Sequence, residues 1–416
     1  MTDHMASAHR IPLDHRSAPE RRASGLASVH SSAPAIAAVH RSAPSRRTVA
    51  RGALLGAAAV LLGPAPARAA AAGPVAPRLP APTGPHPVGL RTYALTDTSR
   101  FDPWEPASGV REVKISVLYP ARTVRGCPRV PQLTPAEAAE FADLAPWVHP
   151  GLPAGGVDWG AALTHGHLNA PALPGRRPVL LYGPGGGDSR TLGTSLAEDL
   201  ASHGHVVVLV DHPGDASQVE LPTGMRLTVL RGNPDPATFR TMVDTRVADL
   251  RLVLDRLGSL PLAPVMDLRR TGVYGHSAGG TAAVHALAAD DRIGAGVNLE
   301  GFLDLDPAAL DGLDRPLLMF RTDGFEEAAR LTSSWVGIPA PRITLTGANH
   351  WVFGDYAFLV PQLTAAGLVT AETRTALIGP ADPAAAVARV RRGLRSFFAR
   401  HLPVPAPPAR HRRVSQ

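Results

Sequence analysis

Short, uninterrupted apolar runs recur along residues 178–350, separated by polar or helix-like segments. The runs read PVLLYG (178–183), HVVVLVDH (205–212), TGVYGH (271–276), GAGVNLEG (294–301), RPLLMFRTDG (315–324) and PRITLTGANH (341–350). Strands of a parallel sheet are buried on both faces, so they read as continuous apolar segments rather than alternating ones. The pattern therefore predicts a mostly parallel β-sheet.

Apolar residues with helical spacing lie between several of these runs. Leu192, Leu196 and Leu200 repeat every four residues before Gly204. A second stripe consists of Val243, Val247, Leu250, Leu254 and Leu257. The segment AAAVARVRRGLRSFF (384–398) is predicted to be a final helix, and VREVKISVLYP (110–120) alternates like a half-buried antiparallel strand. Alternating strands and helices predict one doubly wound α/β domain with helices on both faces of its sheet.

The composition is that of a globular protein: 416 residues, of which 44% are hydrophobic and 19% charged. The formal net charge is +7, but residues 1–69 hold nine arginines against three acidic residues. Most of the excess positive charge therefore belongs to this segment, and the remainder of the chain is close to neutral. No basic surface for nucleic acid is expected.

The arginine-rich amino-terminal segment has the layout of an export signal. Arg46 and Arg47 precede the apolar stretch GALLGAAAVLLG (52–63), and ARA (67–69) follows as a small-x-small cleavage site. The apolar stretch is about 12 residues long, shorter than the ~20 residues that span a bilayer. Residues 1–69 are therefore expected to be a twin-arginine export signal with a long amino-terminal region, and the protein is expected to be secreted.

The carboxyl-terminal segment PVPAPPARHRRVSQ (403–416) is predicted to be a disordered tail. Residues 74–402 then form the folded catalytic domain. Cys127 is the only cysteine, so the domain cannot contain an internal disulfide.

Ser277 lies in GHSAGG (275–280), between an apolar run and an alanine-rich segment. A nucleophile on a sharp strand-to-helix turn needs small residues two positions before and after it, as Gly275 and Gly279 are. The carboxyl end of a buried strand is also where an α/β sheet places its chemistry. Ser277 is therefore predicted to be a catalytic nucleophile.

A serine nucleophile requires a base, and the base requires an orienting carboxylate. His350 ends the last apolar run, where a loop would bring it over the carboxyl edge of the sheet. The other histidines considered fit this role less well: His165, His167, His203, His205, His212, His276 and His285. Two carboxylates preserve the chain order Ser, acid, His, namely Glu300 and Asp323, and their positions alone leave both open.

The glycine run PGGG (184–187) follows the first apolar run. It allows the backbone to approach a substrate closely, so the N–H groups of Gly186 and Ala278 are predicted to form an oxyanion hole. A phosphate-binding loop is excluded because no G-K-[ST] follows. No metal or other cofactor is expected, since the His165-Gly-His167 pair lacks further ligands.

Several segments together resemble the plasma-type platelet-activating-factor acetylhydrolases and related bacterial lipases and esterases, over most of residues 83–400. They are TGPHPVGLRTYAL (83–95), GPGGGDSRTLGTSLAEDLASHGHVVVLVDH (183–212), GHSAGG, GVNLEG (296–301) and TGANHWVFGDY (346–356). The resemblance implies an α/β-hydrolase fold and places the acid on Glu300 and the base on His350. The chain departs from the plasma-type pattern at two points. That pattern has aspartate at the position of Glu300, and a His-Gly pair common at the oxyanion loop is replaced by Pro184-Gly185.

The expected function is that of a secreted serine carboxylic-ester hydrolase, acetylhydrolase- or lipase-like, acting on small-molecule or lipid esters, with transient contact with lipid surfaces. A cutinase-like polyester hydrolase, a peptidase or a catalytically silent binding module on the same fold are the alternatives. The substrate pocket is expected to come from two irregular stretches, 131–172 and 213–237.

Overall fold

A computed structural model describes residues 73–230 and 232–402 of the chain. The strands are β1 (Val88–Phe101), β2 (Val110–Pro120), β3 (Arg129–Pro131), β4 (Leu163–Leu168), β5 (Arg177–Gly183), β6 (Val206–Val210), β7 (Gln218–Leu221), β8 (Gly224–Leu227), β9 (Met266–His276), β10 (Ile293–Leu299), β11 (Leu317–Thr322) and β12 (Arg342–Leu345). The α-helices are α1 (Pro135–Val148), α2 (Thr194–Ser202), α3 (Pro236–Leu257), α4 (Ala278–Ala289), α5 (Ala328–Ser334), α6 (Tyr356–Ala365), α7 (Ala371–Ile378) and α8 (Pro383–His401). The expected export signal and carboxyl-terminal tail lie outside the described residues.

Ten of the strands form one sheet, in the spatial order β12-β11-β10-β9-β5-β6-β2-β1-β4-β3. The strands from β12 to β6 are parallel to their neighbours, whereas β2 is antiparallel to both β6 and β1. Because all six strands from β12 to β6 run in one direction, their carboxyl ends meet at one edge of the sheet. The predicted mostly parallel sheet is confirmed.

Helices cover both faces of the sheet because its strands carry apolar side chains on both sides. In β6, Val206, Val208 and Val210 belong to the core that includes α3 and α4. The intervening Val207 and Leu209 belong to the core that includes α2 and α8. Alternate residues of a strand point to opposite faces, so a continuous apolar run requires a helix layer on each side.

Local sequence explains where the principal helices begin. Asp235 caps α3, since its side chain accepts a hydrogen bond from the Thr238 N–H at 2.7 Å and Pro236 follows it. Thr134 and Glu137 form a reciprocal capping box at the start of α1. The predicted final helix is confirmed as α8, which Asp382 caps.

Two expectations require correction. The antiparallel strand predicted over 110–120 is present as β2, but its residues from Val113 to Pro120 are buried rather than half-buried. This strand lies inside the sheet between β1 and β6, so both of its faces are covered. The stretches 131–172 and 213–237 are also less irregular than expected, since they contain α1 and the β7–β8 hairpin.

Candidate active site

Ser277 occupies a strained turn between β9 and α4. Its backbone angles are φ 53° and ψ −123°, a conformation that residues other than glycine rarely adopt. A Cβ atom at Gly275 would lie 2.1 Å from the Gly279 carbonyl oxygen, and one at Gly279 would lie 2.1 Å from the Gly183 oxygen. Both glycines are therefore required sterically, because the turn packs backbone against backbone.

Glu300 lies beside this turn and is strained in a similar way. Among the described residues, positive φ occurs outside glycine at Asn169, Ser277 and Glu300, the last with φ 62°. The Ser277 N–H donates to the Leu299 oxygen at 2.9 Å, which joins the two turns directly. Strained backbone of this kind costs of order 1–3 kcal/mol per residue and concentrates at functional sites.

His350 is hydrogen bonded to Glu300. Its Nδ1 atom lies 2.9 Å from Glu300 Oε2, and both side chains are buried. A carboxylate at Nδ1 selects the tautomer with the proton on Nδ1, which leaves Nε2 able to accept a proton.

Thr322, at the end of β11, holds the Glu300 carboxylate from the other side. Its backbone N–H donates to Oε1, and its hydroxyl lies 2.9 Å from Oε1 and 3.1 Å from Oε2. Burial raises the pKa of Glu300, and the hydrogen bonds from Thr322 act in the opposite direction. Burial lowers the pKa of His350. The direction of the His350 shift favours the neutral imidazole, which is the form that a general base needs.

Asp323, the alternative acid, is placed differently. It is exposed at the end of β11, and its Oδ1 atom accepts a hydrogen bond from the Gly347 N–H at 2.8 Å. The carboxylate that lies against the His350 imidazole is that of Glu300.

The loop carrying His350 is held by an aromatic contact and a buried carboxylate. The Phe325 ring stacks on the His350 imidazole, with centroids 4.3 Å apart and planes 14° from parallel. Five residues further on, Asp355 accepts hydrogen bonds from the N–H groups of Thr194 and Ser195 at 3.2 and 3.1 Å. The aspartate of the HWVFGDY segment therefore fastens the histidine loop to the amino-terminal end of α2.

The two predicted oxyanion donors are neighbours. Ala278 is the first residue of α4, so its N–H has no acceptor within the helix. A Cβ atom at Gly186 would lie 3.7 Å from the Ala278 Cβ. Within the part of the chain that the structure describes, the Gly186 N–H donates to no other protein group. Both donors are therefore available beside the Ser277 turn.

The chain is similar in sequence to known acetylhydrolases and esterases. The sequence model of the family "Platelet-activating factor acetylhydrolase, isoform II" matches residues 257–403. A probable 1-alkyl-2-acetylglycerophosphocholine esterase from Arthroderma benhamiae is 27% identical over 353 residues, which cover 77% of this chain and 87% of that protein. The platelet-activating factor acetylhydrolase of Canis lupus familiaris is 26% identical, over 49% of this chain and 54% of its own length.

A solved structure is more similar in sequence. The ferulic acid esterase from Streptomyces cinnamoneus is 32% identical and superposes with a TM-score of 0.68, over 80% of this chain and 95% of that one. The chain belongs to the platelet-activating-factor acetylhydrolase-like family of α/β-hydrolases. It is a carboxylic-ester hydrolase, and both the family and the fold expected from the sequence are confirmed.

Side chains from both of the stretches expected to form the pocket of this esterase lie near residues 184–187, the predicted oxyanion loop. A Cβ atom at Gly187 would lie 3.3 Å from Val148, in the first stretch. Leu230, in the second, packs with Met242 and Ala278. Trp104 and Phe239 pack against this apolar group.

Several residues that support the site of this esterase were not among the candidate site residues of the sequence analysis. Thr322, Phe325 and Asp355 are identified by the folded structure through their contacts with Glu300, His350 and α2. Thr322 directly precedes Asp323, the alternative acid. The end of β11 predicted to carry the acid therefore does border the site, although the residue that contacts Glu300 is Thr322.

No helix of the described residues is both long and apolar enough to cross a membrane.

Proposed function

We propose that this esterase hydrolyses small-molecule or lipid esters through an acyl-enzyme on Ser277, with His350 as the base and Glu300 as the orienting acid. The observation that carries the proposal is the 2.9 Å contact between His350 Nδ1 and Glu300 Oε2 beside the strained Ser277 turn. The relatives named for esters of acetylglycerophosphocholine and of ferulic acid support this substrate class.

In the proposed mechanism, the Ser277 Oγ attacks the ester carbonyl carbon while His350 Nε2 takes the hydroxyl proton. The N–H groups of Gly186 and Ala278 stabilise the negative charge on the carbonyl oxygen. The tetrahedral intermediate collapses, and the alcohol leaves with the proton from His350. A water molecule, activated by the same histidine, then releases the carboxylic acid and restores Ser277.

Glu300 supports both halves of this cycle. Its carboxylate accepts the Nδ1–H hydrogen bond and stabilises the imidazolium that forms each time His350 takes a proton. Thr322 keeps the carboxylate aimed at His350, because its backbone N–H donates to Oε1 and its hydroxyl can donate to Oε2.

Covalent labelling tests the assignment of the nucleophile. A fluorophosphonate should form one adduct per molecule, and peptide mass spectrometry should locate it on Ser277, because among the serines of residues 73–230 and 232–402 it is the one on a backbone turn with positive φ, beside the proposed oxyanion donors. An adduct on a different serine would contradict the mechanism. Initial rates on acetyl, butyryl, long-chain and feruloyl esters would then identify the preferred acyl group.

We further propose that the esterase is exported by the twin-arginine route, with residues 1–69 as the signal. Amino-terminal sequencing of protein from the culture medium should begin near Ala70. Replacing Arg46 and Arg47 together by lysine should retain the full-length protein in the cytoplasm. The matched control replaces Arg21 and Arg22, a pair that no apolar stretch follows, and should be exported normally. Export of the Arg46/Arg47 variant at the wild-type level would contradict this route.

A further inference from the structure

A buried arginine lies behind the glycine loop that carries the predicted oxyanion donor. Arg246 projects from α3 and is completely inaccessible to solvent. Its Nη1 donates to the Pro184 oxygen at 2.5 Å and its Nη2 to the Gly185 oxygen at 3.0 Å. Its Nε forms an ion pair with Asp215, which is also buried.

We propose that the Arg246–Asp215 ion pair positions the oxyanion loop of this esterase, residues 184–187, so that the Gly186 N–H points at the reacting carbonyl oxygen. The inference rests on the proposed function, since it presupposes that Gly186 is an oxyanion donor. Both residues act through the loop and are positioning residues.

The geometry of the peptide bond links Arg246 to Gly186. The peptide between Gly185 and Gly186 is trans, and in a trans peptide the C=O and N–H bonds point in opposite directions. Since the Gly185 oxygen is directed at the guanidinium, the Gly186 N–H must point away from Arg246. A Cβ atom at Gly186 would lie 3.7 Å from that of Ala278, so the two predicted donors are adjacent.

Asp215 also fixes the next peptide, between Gly186 and Gly187. Its Oδ1 atom accepts a hydrogen bond from the Gly187 N–H at 3.2 Å, while its Oδ2 pairs with Arg246. The next part of the same segment adds a backbone bond, from the Ser217 N–H to the Gly187 oxygen at 2.8 Å. One ion pair therefore holds consecutive peptides of the loop. A glycine-rich loop needs such external contacts, because glycine restricts its own backbone conformation least.

The charge of Arg246 also contributes to the strength of the donor. A cation bonded to a peptide oxygen polarises the peptide, and hydrogen bonds in series strengthen one another. The planar guanidinium can contact two carbonyls and a carboxylate at once, whereas a lysine ammonium cannot reproduce that fork. Lysine at this position should therefore preserve the charge but only part of the orientation.

Arg111 provides a matched control. It is equally buried, binds the carboxylates of Asp102 and Asp249, and donates to the Pro213 oxygen at 2.6 Å. These three partners lie outside the oxyanion loop, residues 184–187. Substitution of either arginine breaks a buried ion pair. Only substitution of Arg246 also removes contacts with the oxyanion loop.

The test compares Arg246→Lys, Arg246→Gln, Asp215→Asn and Arg111→Gln in the full chain. For each variant, kcat is expressed per site titrated with fluorophosphonate, so that unfolded protein is not counted. KM is measured on a p-nitrophenyl ester, and Ki on a trifluoromethyl ketone, whose adduct with the serine places an oxyanion in the hole.

We expect kcat to fall about 100-fold for Arg246→Gln and about 10-fold for Arg246→Lys, in line with the effect of disturbing an oxyanion donor. The Ki of the ketone should rise by a similar factor, and KM should stay within about threefold. Asp215→Asn should fall between wild type and Arg246→Gln. Arg111→Gln should lower the melting temperature yet keep kcat per site within about threefold of wild type.

Unchanged kcat and Ki in the Arg246 variants, or equal losses in Arg246→Gln and Arg111→Gln, would overturn the inference. Should Arg246→Gln fail to fold, Arg246→Lys and Asp215→Asn decide by the same criteria.

Ser277→Ala distinguishes failure of the proposed function from failure of the positioning role. If Ser277→Ala is active, the proposed mechanism fails. If it is inactive while the Arg246 variants match wild type, only the positioning role fails.

Discussion

Ser277→Ala should lower kcat by about 10⁶-fold, because removing the nucleophile of a serine hydrolase costs roughly that factor. Alanine fits wherever serine does, so the melting temperature should change little. The activity is measured on a p-nitrophenyl ester and the stability by thermal unfolding. Ser259→Ala, on the exposed turn after α3, serves as the control and should match wild type in both.

A glycine variant adds information about the strain at this position. Ser277 has φ 53°, which is unfavourable for any residue with a Cβ atom. Ser277→Gly should therefore be inactive but at least as resistant to heat as Ser277→Ala. Appreciable ester hydrolysis by either variant, with no shift in pH dependence, would show that another residue supplies the nucleophile.

Glu300→Gln should lower kcat by about 10⁴-fold, whereas Asp323→Asn should lower it by less than about tenfold. The first value corresponds to the loss seen when the acid of a Ser-His-acid arrangement becomes an amide. The reason for the difference is geometric: Glu300 Oε2 lies 2.9 Å from His350 Nδ1, and Asp323 is exposed and bonded to the Gly347 N–H. Steady-state kinetics on one ester, with thermal unfolding of each variant, is the measurement.

Glu300→Asp is the conservative companion to this pair. Its carboxylate is one methylene shorter, so it should retain partial activity, between the activities of wild type and Glu300→Gln, and it carries the residue type of the plasma-type pattern. A dead Asp323→Asn together with an active Glu300→Gln would reverse the assignment of the acid.

The contacts of Glu300 show how the fold accommodates a glutamate where the plasma-type pattern has the shorter aspartate. The carboxylate is bound on one side by His350 and on the other by Thr322 at the end of the next strand. A Cβ atom at Gly301 would lie 2.4 Å from the Ser277 oxygen, so the turn after Glu300 is packed tightly against the Ser277 turn. The longer side chain therefore reaches His350 from a backbone position that has little freedom to move.

The sequence alone was sufficient for the fold class and for the set of candidate site residues. Continuous apolar runs predict buried parallel strands because both faces of such strands must be covered, and the β6 core contacts show this arrangement. The glycines around Ser277 are a local steric requirement, so they can be recognised in a short segment. Burial of β2 could not be read from its alternating pattern, since it depends on the neighbouring strands.

The tertiary structure determined which side chains contact one another at the candidate site. The contact between His350 and Glu300 spans 50 residues of chain, that between Glu300 and Thr322 spans 22, and those between Arg246 and the oxyanion loop span more than 60. Such contacts depend on which strand ends become neighbours and on how long side chains reach across them. The residues that could carry the chemistry are therefore visible in the sequence, whereas the choice between Glu300 and Asp323, and the residues that hold the site in place, depend on distances that only the folded chain defines.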